Sequence, residues 1–560
     1  MKTIKIGVIL LAITLFMPLF SCLDLDKLNE DPNNPVKVSS NYILPYVLSK
    51  TALYYKSLGN YNSQVAGAMQ YVQVGTNESS WKINHYNWDK GSWDGFYDVL
   101  RNIQMINGYA LESKNPFFEA ISLIFRAAVF GVTTDVFGDI PYAESLKAKE
   151  GLYFPKYDEQ KYIYKGILED LNKAEALLAQ PDIATYKVTP AADLMYAGNA
   201  AKWRKFCNSL RLRYAMRLYD KKNDMSALGV DIIAIFNDAA GKAFTAVDDD
   251  ALVKYIGTTP ENSAPGGKLN SSNPPFATKP CATLVDKLQS ISDPRLYRWV
   301  MPVAIKWDLN IAAETDKTVT TMFGDSYTVK YLPTTNSSLD TSLYVGLPMG
   351  LAVQDAMNYN KGSYSQTFNA ERSPFISYMH GRYRENTDPL LRLDIMDYSE
   401  VEFLLAEAAF RGGFSVAGTA ESHYRKGIEA SMARWGIIDG KNGFSFNAYY
   451  SNPGVDYAAA ANKLERIMEQ KWLAGWLNVE PWFDWRRTGY PDLKPGPVAS
   501  YGPAIPIRMA YPVPNSDEKY MVNYNEAVGR LEATVFVPAG QSKDHVMSKI
   551  WVIQGTGKPY

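Results

Sequence analysis

The sequence predicts a mainly α-helical fold, in which an α-superhelical scaffold of helix pairs carries a large irregular loop region and a few short β-hairpins. Three observations favour it. Apolar residues recur at helical spacing before residue 240 and after residue 396. The stretch 241–395 is instead rich in Gly, Pro, Ser, Asn and Thr and has little periodicity. After residue 396, two predicted helices follow each other closely enough to form a hairpin.

The first residues have the pattern of an export signal. Residues 6–20 form an uncharged run that is too short to span a bilayer comfortably. The run ends at Ser21-Cys22, a small residue before a Cys, which resembles a bacterial lipobox. We therefore expect 1–21 to be a lipoprotein signal peptide, Cys22 to be lipidated, and 22–40 to be an extended tether. The alternative is a plain secretory signal with an incidental Cys.

Two long helices are predicted in the first half of the chain. One covers 158–180 and is stopped by Pro181, and the other covers 199–219. Cys207 lies on the apolar stripe of the second helix, which favours a core position over a reactive thiol. A disulfide between Cys207 and Cys281 is a less favoured alternative. The apolar stripe of the first helix contains Tyr164, Ile167, Leu168, Leu171, Ala174 and Leu178.

The second half predicts a helical hairpin. Ser399 and Glu402 have the spacing of a capping box, and they start a helix that covers 399–411 and stops at two glycines. A second helix at about 419–435 follows, so the pair has roughly the length of a tetratricopeptide unit. A further helix covers about 460–478.

The intervening stretch has one clear strand signal. Residues 319–322 precede a Gly324-Asp325 turn, and Tyr327, Val329 and Tyr331 alternate after it, so a β-hairpin is expected. Long irregular stretches in a compact domain are usually functional loops held by a rigid scaffold.

We therefore predict one domain at 41–560. Its helical scaffold is formed by 41–240 and 396–560, and 241–395 is the loop-rich region on the ligand side.

Composition and motifs argue against several functions. The net charge is −1 and no long Lys/Arg run exists, which argues against nucleic-acid binding. No nucleophile elbow or phosphate loop is present, and the four His lack metal-ligand spacing. The run at 248–250 lacks the pattern of a calcium loop and is interpreted as a solvated acidic helix start. No cofactor is expected.

A catalytic pair of carboxylates is harder to exclude, because 59 acidic residues offer many pairs. A glycosidase needs two of them across a cleft. Asp484, however, is placed by helical spacing to pair with Arg487, which predicts an ionised structural carboxylate. We expect the protein not to be an enzyme.

One segment has the residue types that bind sugars, which need exposed rings for their C–H faces and amides for their hydroxyls. It runs from Tyr71 to Trp93 and has no sustained helical period. Trp93 falls into phase with the helix that follows and is assigned to the core. The remaining rings could instead pack the loop onto the scaffold. The candidate ligand-binding residues are Tyr71, Gln73, Asn77, Trp81, His85, Tyr86 and Trp88, with a weaker second set of Asn270, Asn273, Phe276, Tyr344 and Tyr364.

Several motifs, spread over nearly the whole mature chain, resemble the SusD/RagB family, and in particular its SusD-like branch. No single one is decisive, but they occur in the family order. They are Asp-Pro-Asn-Asn-Pro at 31–35, Asp-Val-Phe-Gly-Asp-Ile-Pro-Tyr at 135–142, Tyr-Ala-Gly-Asn at 196–199 running into 202–213, the helix at 398–408, the segment 465–487 with Trp-Phe-Asp-Trp-Arg-Arg, and Tyr-Pro-Val-Pro at 511–514 with Asn-Tyr-Asn after it.

The resemblance implies tetratricopeptide-like helix pairs and a function. Such proteins resemble lids on a SusC-type TonB-dependent outer-membrane transporter, to which they deliver a bound nutrient. The expectation is thus a lipid-anchored outer-membrane protein facing the cell exterior that binds an oligosaccharide. A peptide-binding lipoprotein of the same family and transporter pairing is the alternative, and a purely structural scaffold or a surface hydrolase are further rivals.

Overall fold

The computed structural model describes residues 39–74, 82–88, 90–270, 278–368, 372–512 and 517–558. In these ranges the chain is mainly helical, and its β-strands are short. The α-helices before residue 245 are α1 (Ser40–Gly59), α2 (Gln64–Ala68), α3 (Asp94–Glu112), α4 (Pro116–Phe137), α5 (Gln160–Leu178), α6 (Ala200–Arg217), α7 (Lys222–Ala227) and α8 (Ile232–Ala240). Those after it are α9 (Ala282–Ser290), α10 (Leu296–Trp299), α11 (Val353–Asn358), α12 (Tyr398–Arg411), α13 (Ala420–Arg434), α14 (Phe446–Tyr450), α15 (Lys463–Ala474), α16 (Glu480–Thr488) and α17 (Glu518–Arg530).

The strands form small separate sheets. The strands are β1 (Val72–Val74), β2 (Ile140–Pro141), β3 (Tyr157–Asp158), β4 (Ala251–Lys254), β5 (Thr278–Pro280), β6 (Ile305–Asp308), β7 (Thr315–Thr320), β8 (Ser326–Pro333), β9 (Arg392–Met396), β10 (Glu532–Ala533) and β11 (Ser548–Lys549). The antiparallel pairs are β1–β5, β2–β3, β4–β9 and β10–β11, and the remaining sheet has the order β6-β8-β7.

The two helices predicted in the first half are confirmed as α5 and α6, and their apolar stripes are buried. Helix α6 starts where the Asn199 side chain accepts the backbone N–H groups of Ala201 and Lys202 at 3.1 and 3.2 Å. Cys207 and Cys281 are both buried and free, so no bridge joins them.

Helix α4 is the apolar centre of the first half. By length and composition it could cross a membrane, but 94% of its most apolar window is buried inside the protein. Its three charged groups have partners. Glu119 pairs with Lys173 of α5 at 2.6 Å, Arg126 Nε donates to Asp170 at 2.6 Å, and Asp135 pairs with Arg217 of α6. Helix α4 is therefore a core helix, whose charges tie it to α5 and α6.

The predicted hairpin of helices is confirmed as α12 and α13, which pack against each other and against α15. The capping box, however, was wrong. The cap is Asp397, which accepts the N–H of Glu400 at 2.8 Å, while Ser399 donates to the carbonyl of Gly427 at 2.7 Å. Glu402 instead pairs with His423 at 2.6 Å. Ser399 and Glu402 therefore do not cap α12 but join it to α13.

The region between the scaffold halves contains more strand than the sequence indicates. The predicted hairpin is confirmed as β7 and β8, with Val319 opposite Tyr327. A parallel strand, β6, adds to β8 and was not predicted. Two small apolar clusters support this region, one around Ile305, Trp307 and Phe375, the other around Leu347, Ala356 and Ile376.

The acidic run at 248–250 was interpreted incorrectly as fully solvated. Asp249 and Asp250 are buried, and they pair with Lys205 at 2.8 Å and Arg392 at 2.6 Å. These ion pairs tie the start of β4 to α6 and β9.

Candidate functional site

The β1–β5 ladder brings together the described residues that flank two distant candidate segments. Its antiparallel register pairs Val72 with Pro280 and Val74 with Thr278, so the C-terminal end of β1 and the N-terminal end of β5 coincide. The segment 75–81 follows Val74 in sequence, and 271–277 precedes Thr278. Four candidate residues, Asn77, Trp81, Asn273 and Phe276, lie in these two segments, outside the described residues.

Buried amides organise the chain beneath this end of the ladder. The Gln73 side chain accepts the N–H of Gly350 at 3.1 Å and donates to the carbonyl of Val72 at 2.8 Å. The Asn84 side chain accepts the N–H of Val74 at 2.8 Å and donates to its carbonyl at 2.7 Å. Both amides therefore position the chain. The expectation that Gln73 is an accessible polar partner is corrected, because the structure buries it completely.

Three of the candidate aromatic residues of the segment 71–93 are in the core. Tyr71 stacks on Trp472 with ring centroids 5.3 Å apart, and its hydroxyl donates to the Trp472 carbonyl at 2.5 Å. Tyr86 is fully buried, and Trp88 packs on Trp482 at 5.4 Å. The expectation of exposed rings at 71, 86 and 88 is therefore corrected. Trp472 of α15 and Trp482 of α16, supplied from the far end of the chain, cover Tyr71 and Trp88.

Trp93 packs as expected. It is half-buried and meets Phe137, Tyr157 and Tyr97 edge to face at 5.2, 5.4 and 6.0 Å. These contacts lock the start of α3 onto the end of α4.

Three stretches form a surface that we call the loop platform: 82–88, 349–351 and 496–500. Backbone contacts hold them together: Ser500 N–H donates to the His85 carbonyl at 2.8 Å, and Val498 N–H donates to the Gly350 carbonyl at 3.3 Å. A Cβ on Gly496 would lie 2.0 Å from the carbonyl oxygen of Met349, so only glycine allows this close approach.

The accessible side chains of the platform include polar groups in 82–88, beside apolar ones at 351 and 497–499. Lys82 and Asn87 are exposed, and His85 is half-buried, with its pKa lowered by burial. None of the platform residues is Asp or Glu. The platform therefore offers hydrogen-bonding groups to a polar ligand but no pair of carboxylates for hydrolysis.

The described part of the weaker candidate set does not form a site. The Asn270 amide donates to the carbonyls of Pro260 and Ala264 at 3.0 and 3.1 Å. Tyr344 is buried, and Tyr364 packs edge to face on Phe375 at 5.1 Å.

Asp484 is a structural carboxylate, as its spacing from Arg487 predicts. Asp484 pairs with Arg487 at 2.9 Å as expected, and also with Lys471 at 2.7 Å. Burial opposes its ionisation, but these two cations hold the pKa of Asp484 well below its usual range. Among the described residues, no group of His, Cys, Asp and Glu is arranged to hold a metal ion.

Comparison with known proteins identifies the family. Residues 32–512 match the SusD-like family, which is described as starch-binding and associating with the outer membrane. The chain belongs to the SusD-like family. No curated protein shows significant sequence similarity to this SusD-like chain.

Solved structures have the same fold. A SusD homolog from Bacteroides fragilis matches with a TM-score of 0.71 at 22% identity, over 92% of this chain and 100% of the other. A SusD/RagB family protein from Bacteroides thetaiotaomicron matches with a TM-score of 0.65 at 23% identity, over 93% and 100%. A chitin-binding protein matches with a TM-score of 0.67 at 23% identity, over 92% and 99%. The predicted fold with tetratricopeptide-like helix pairs is thereby confirmed.

Proposed function

We propose that this SusD-like protein is a surface-exposed outer-membrane lipoprotein that binds an oligosaccharide and delivers it to a SusC-type TonB-dependent transporter. The observation that carries the ligand site is the pairing of Val74 with Thr278. Val74 is the last described residue before 75–81, Thr278 is the first after 271–277, and Asn84 of the loop platform bonds to Val74. This pairing supports a site that uses both stretches. The family description and the chitin-binding relative agree with a glycan ligand.

The proposed contacts follow from sugar chemistry. The Trp81 ring would cover a sugar face, and Asn77, His85 and Asn87 would bond to its hydroxyls. One stacked ring contributes about 1–2 kcal/mol, so the affinity is modest, as suits a protein that must release its ligand.

The test is calorimetric titration of a soluble form lacking residues 1–22 with chito-oligosaccharides, malto-oligosaccharides and short peptides. We expect an oligosaccharide to bind, and Trp81→Ala to weaken it about tenfold. Tyr153→Ala is the matched control, because Tyr153 is a described ring that is 61% exposed on another loop. It should leave binding unchanged.

Two results would count against the ligand assignment. Peptide binding alone would favour the peptide-binding alternative of the same family. Oligosaccharide binding that survives Trp81→Ala would place the site elsewhere.

The anchor has its own test. Cys22→Ala in the full-length chain should abolish labelling by palmitate and release the protein from the outer-membrane fraction, because acylation supplies the anchor. Protein that stays membrane-bound without label would contradict the lipoprotein assignment.

The pairing with a transporter is tested by co-purification. A transporter that co-purifies with the wild-type protein, but not with an unrelated lipoprotein, would support the pairing.

A further inference from the structure

A groove of about 270 Å³ lies between α3, α4 and the segment 142–147 that follows β2. Its volume exceeds many-fold the about 10–15 Å³ that one ordered water molecule needs. It shares no lining residue with the loop platform. We call it the α3–α4 groove.

Two polar residues of α4 open onto this groove. Ser122 and Arg126 are the only polar residues in the apolar stretch 120–132, and both line the groove, one helical turn apart. A contact that serves only to pack α3 on α4 would use apolar residues at such positions. The polar pair therefore points to a role besides packing.

The groove does not favour an anion. The Nε and Nη2 atoms of Arg126 pair with both carboxylate oxygens of Asp170, the Nε at 2.6 Å, so the charge of Arg126 is already compensated. Lys147 is the only other charged residue among the described lining residues. A single cation beside open solvent contributes little to the binding of an anion.

Hydrogen-bonding groups of both kinds are available to a ligand. The Asn107 Nδ2 donates to Ser122 Oγ at 2.8 Å, which fixes the amide and leaves its Oδ1 without a partner among the described residues. The exposed Gln104 amide has no partner there either, and Arg126 keeps its Nη1. A set of donors and acceptors matches sugar hydroxyls, which both donate and accept.

The ring of Tyr142 is one apolar wall of the groove, and it is held in place. It meets Phe130 edge to face at 4.7 Å. Its hydroxyl lies against Gly166 in the middle of α5, where a Cβ would be 2.1 Å from the hydroxyl oxygen. Glycine destabilises a helix interior. Helix α5 therefore carries an unfavourable residue that the position of this ring requires.

The segment 142–147 is fixed as well. Asp158 accepts the backbone N–H groups of Tyr142 and Ala143 at 3.0 and 2.8 Å. Leu146 has a φ of 62°, a left-handed conformation that is unfavourable for a branched side chain. Such strained residues concentrate at ligand sites. A wall that is already in place limits the entropic cost of binding.

We infer that the α3–α4 groove is a second saccharide site, which binds one or two units of a neutral sugar. The C–H face of the sugar lies against Tyr142, and its hydroxyls bond to Gln104, Asn107 and Arg126. Because the groove is partly open, we expect a Kd on the order of 1 mM. The inference does not depend on a site at the loop platform.

The experiment titrates the purified protein with maltose, cellobiose and diacetylchitobiose up to about 20 mM. Ligand-observed NMR measures binding, and hydrogen-exchange mass spectrometry locates it. At least one disaccharide should bind and slow exchange in 142–152. Glucuronate should bind no more tightly than glucose, and a clear preference for the acid would contradict a neutral ligand.

Gln104→Ala should weaken disaccharide binding about fivefold, because it removes hydrogen bonds to the sugar. Gln541→Ala, at an exposed turn, is the matched control and should leave binding unchanged.

Gly166→Ala should weaken binding about tenfold without touching the sugar, because the added Cβ displaces the Tyr142 ring. Gly108→Ala is the matched control. Gly108 is also inside a helix, but a Cβ there would meet nothing within 4 Å, so binding should be unchanged. Circular dichroism checks that each variant is folded.

Three results would overturn the proposal: no binding of any disaccharide, protection confined to 82–88, or unchanged affinity in both Gln104→Ala and Gly166→Ala. Trp81→Ala, measured in parallel, separates the two sites. Disaccharide binding that is lost only in Trp81→Ala would support the loop platform and contradict the groove, and loss only in the groove variants would do the reverse.

Discussion

The helical scaffold and the region between β5 and β9 are held together by different interactions. In the scaffold, Arg487 of α16 is fully surrounded: it pairs with Glu407 of α12 at 2.7 Å and with Asp484 at 2.9 Å. In the intervening region, Trp307 of β6 stacks on Phe375 at 5.1 Å in a small cluster of its own.

Because the interactions differ, a substitution should have different consequences in the two regions. Removing one member of a buried ion pair leaves an uncompensated charge in the core, which affects every helix packed there. Removing an apolar residue from a small separate cluster leaves a cavity, whose cost is confined to its neighbours. We therefore expect global effects in the scaffold and local effects in the intervening region.

The largest effect is expected for Glu407→Ala. Glu407 is fully buried between Arg487 and Arg411, so its loss should lower the free energy of unfolding by about 3–5 kcal/mol. Denaturant titration followed by circular dichroism measures this. Glu385→Ala is the control. The side chains of Glu385 and its partner Lys268 are 50% and 72% exposed, so this ion pair should contribute less than about 1 kcal/mol to stability. Similar losses of unfolding free energy in both variants would contradict the special contribution of the buried ion pair.

The second largest effect is expected for Trp307→Ala, in the region between β5 and β9. Trp307→Ala removes the stack on Phe375 and the hydrogen bond from the indole to the Asn360 carbonyl at 2.8 Å, a loss of about 3 kcal/mol. Hydrogen exchange should accelerate in β6 and β8 and stay nearly unchanged in α12 and α16. Faster exchange spread evenly over the scaffold would contradict a local effect.

The smallest effect is expected for the pH dependence of stability that His380 causes in the segment between β8 and β9. Burial, followed by the charge of Arg382, lowers the pKa of His380 to about 4, against an ordinary value near 6.5. The unfolded chain therefore binds a proton at a pH where the native state does not, and stability rises as the pH increases from about 4 to about 6.5.

His380→Gln removes this titration. The difference in unfolding free energy between pH 4.5 and pH 7 should shrink by about 1–2 kcal/mol relative to the wild type. Denaturant titrations at the two pH values measure it. An unchanged difference would show that His380 does not titrate in this way.

The candidate site was only partly predictable from the sequence. The residue types of 71–93 indicated a ligand loop, but the same rings and amides serve equally well in a core. Tyr71 and Trp88 are buried by Trp472 and Trp482, which lie about four hundred residues away in the chain. No local pattern in 71–93 contains that information. For Asn77 and Trp81 a ligand role stays a prediction.

By itself, the sequence determined the features that depend on near neighbours in the chain. These are the helices α5, α6, α12 and α13, the β7–β8 hairpin and the pairing of Asp484 with Arg487, because helical and strand periodicity are expressed within a few residues. The motifs along the chain were also sufficient to indicate the family.

Only the tertiary structure decided which rings of 71–93 are buried and which charges meet between distant elements. The parallel addition of β6 to β8 and the pair between Arg213 and Glu400 join elements that the sequence keeps apart. Burial is a property of what packs against a residue. Elements that meet from opposite ends of the chain therefore decided whether an aromatic ring belongs to the core or to a surface.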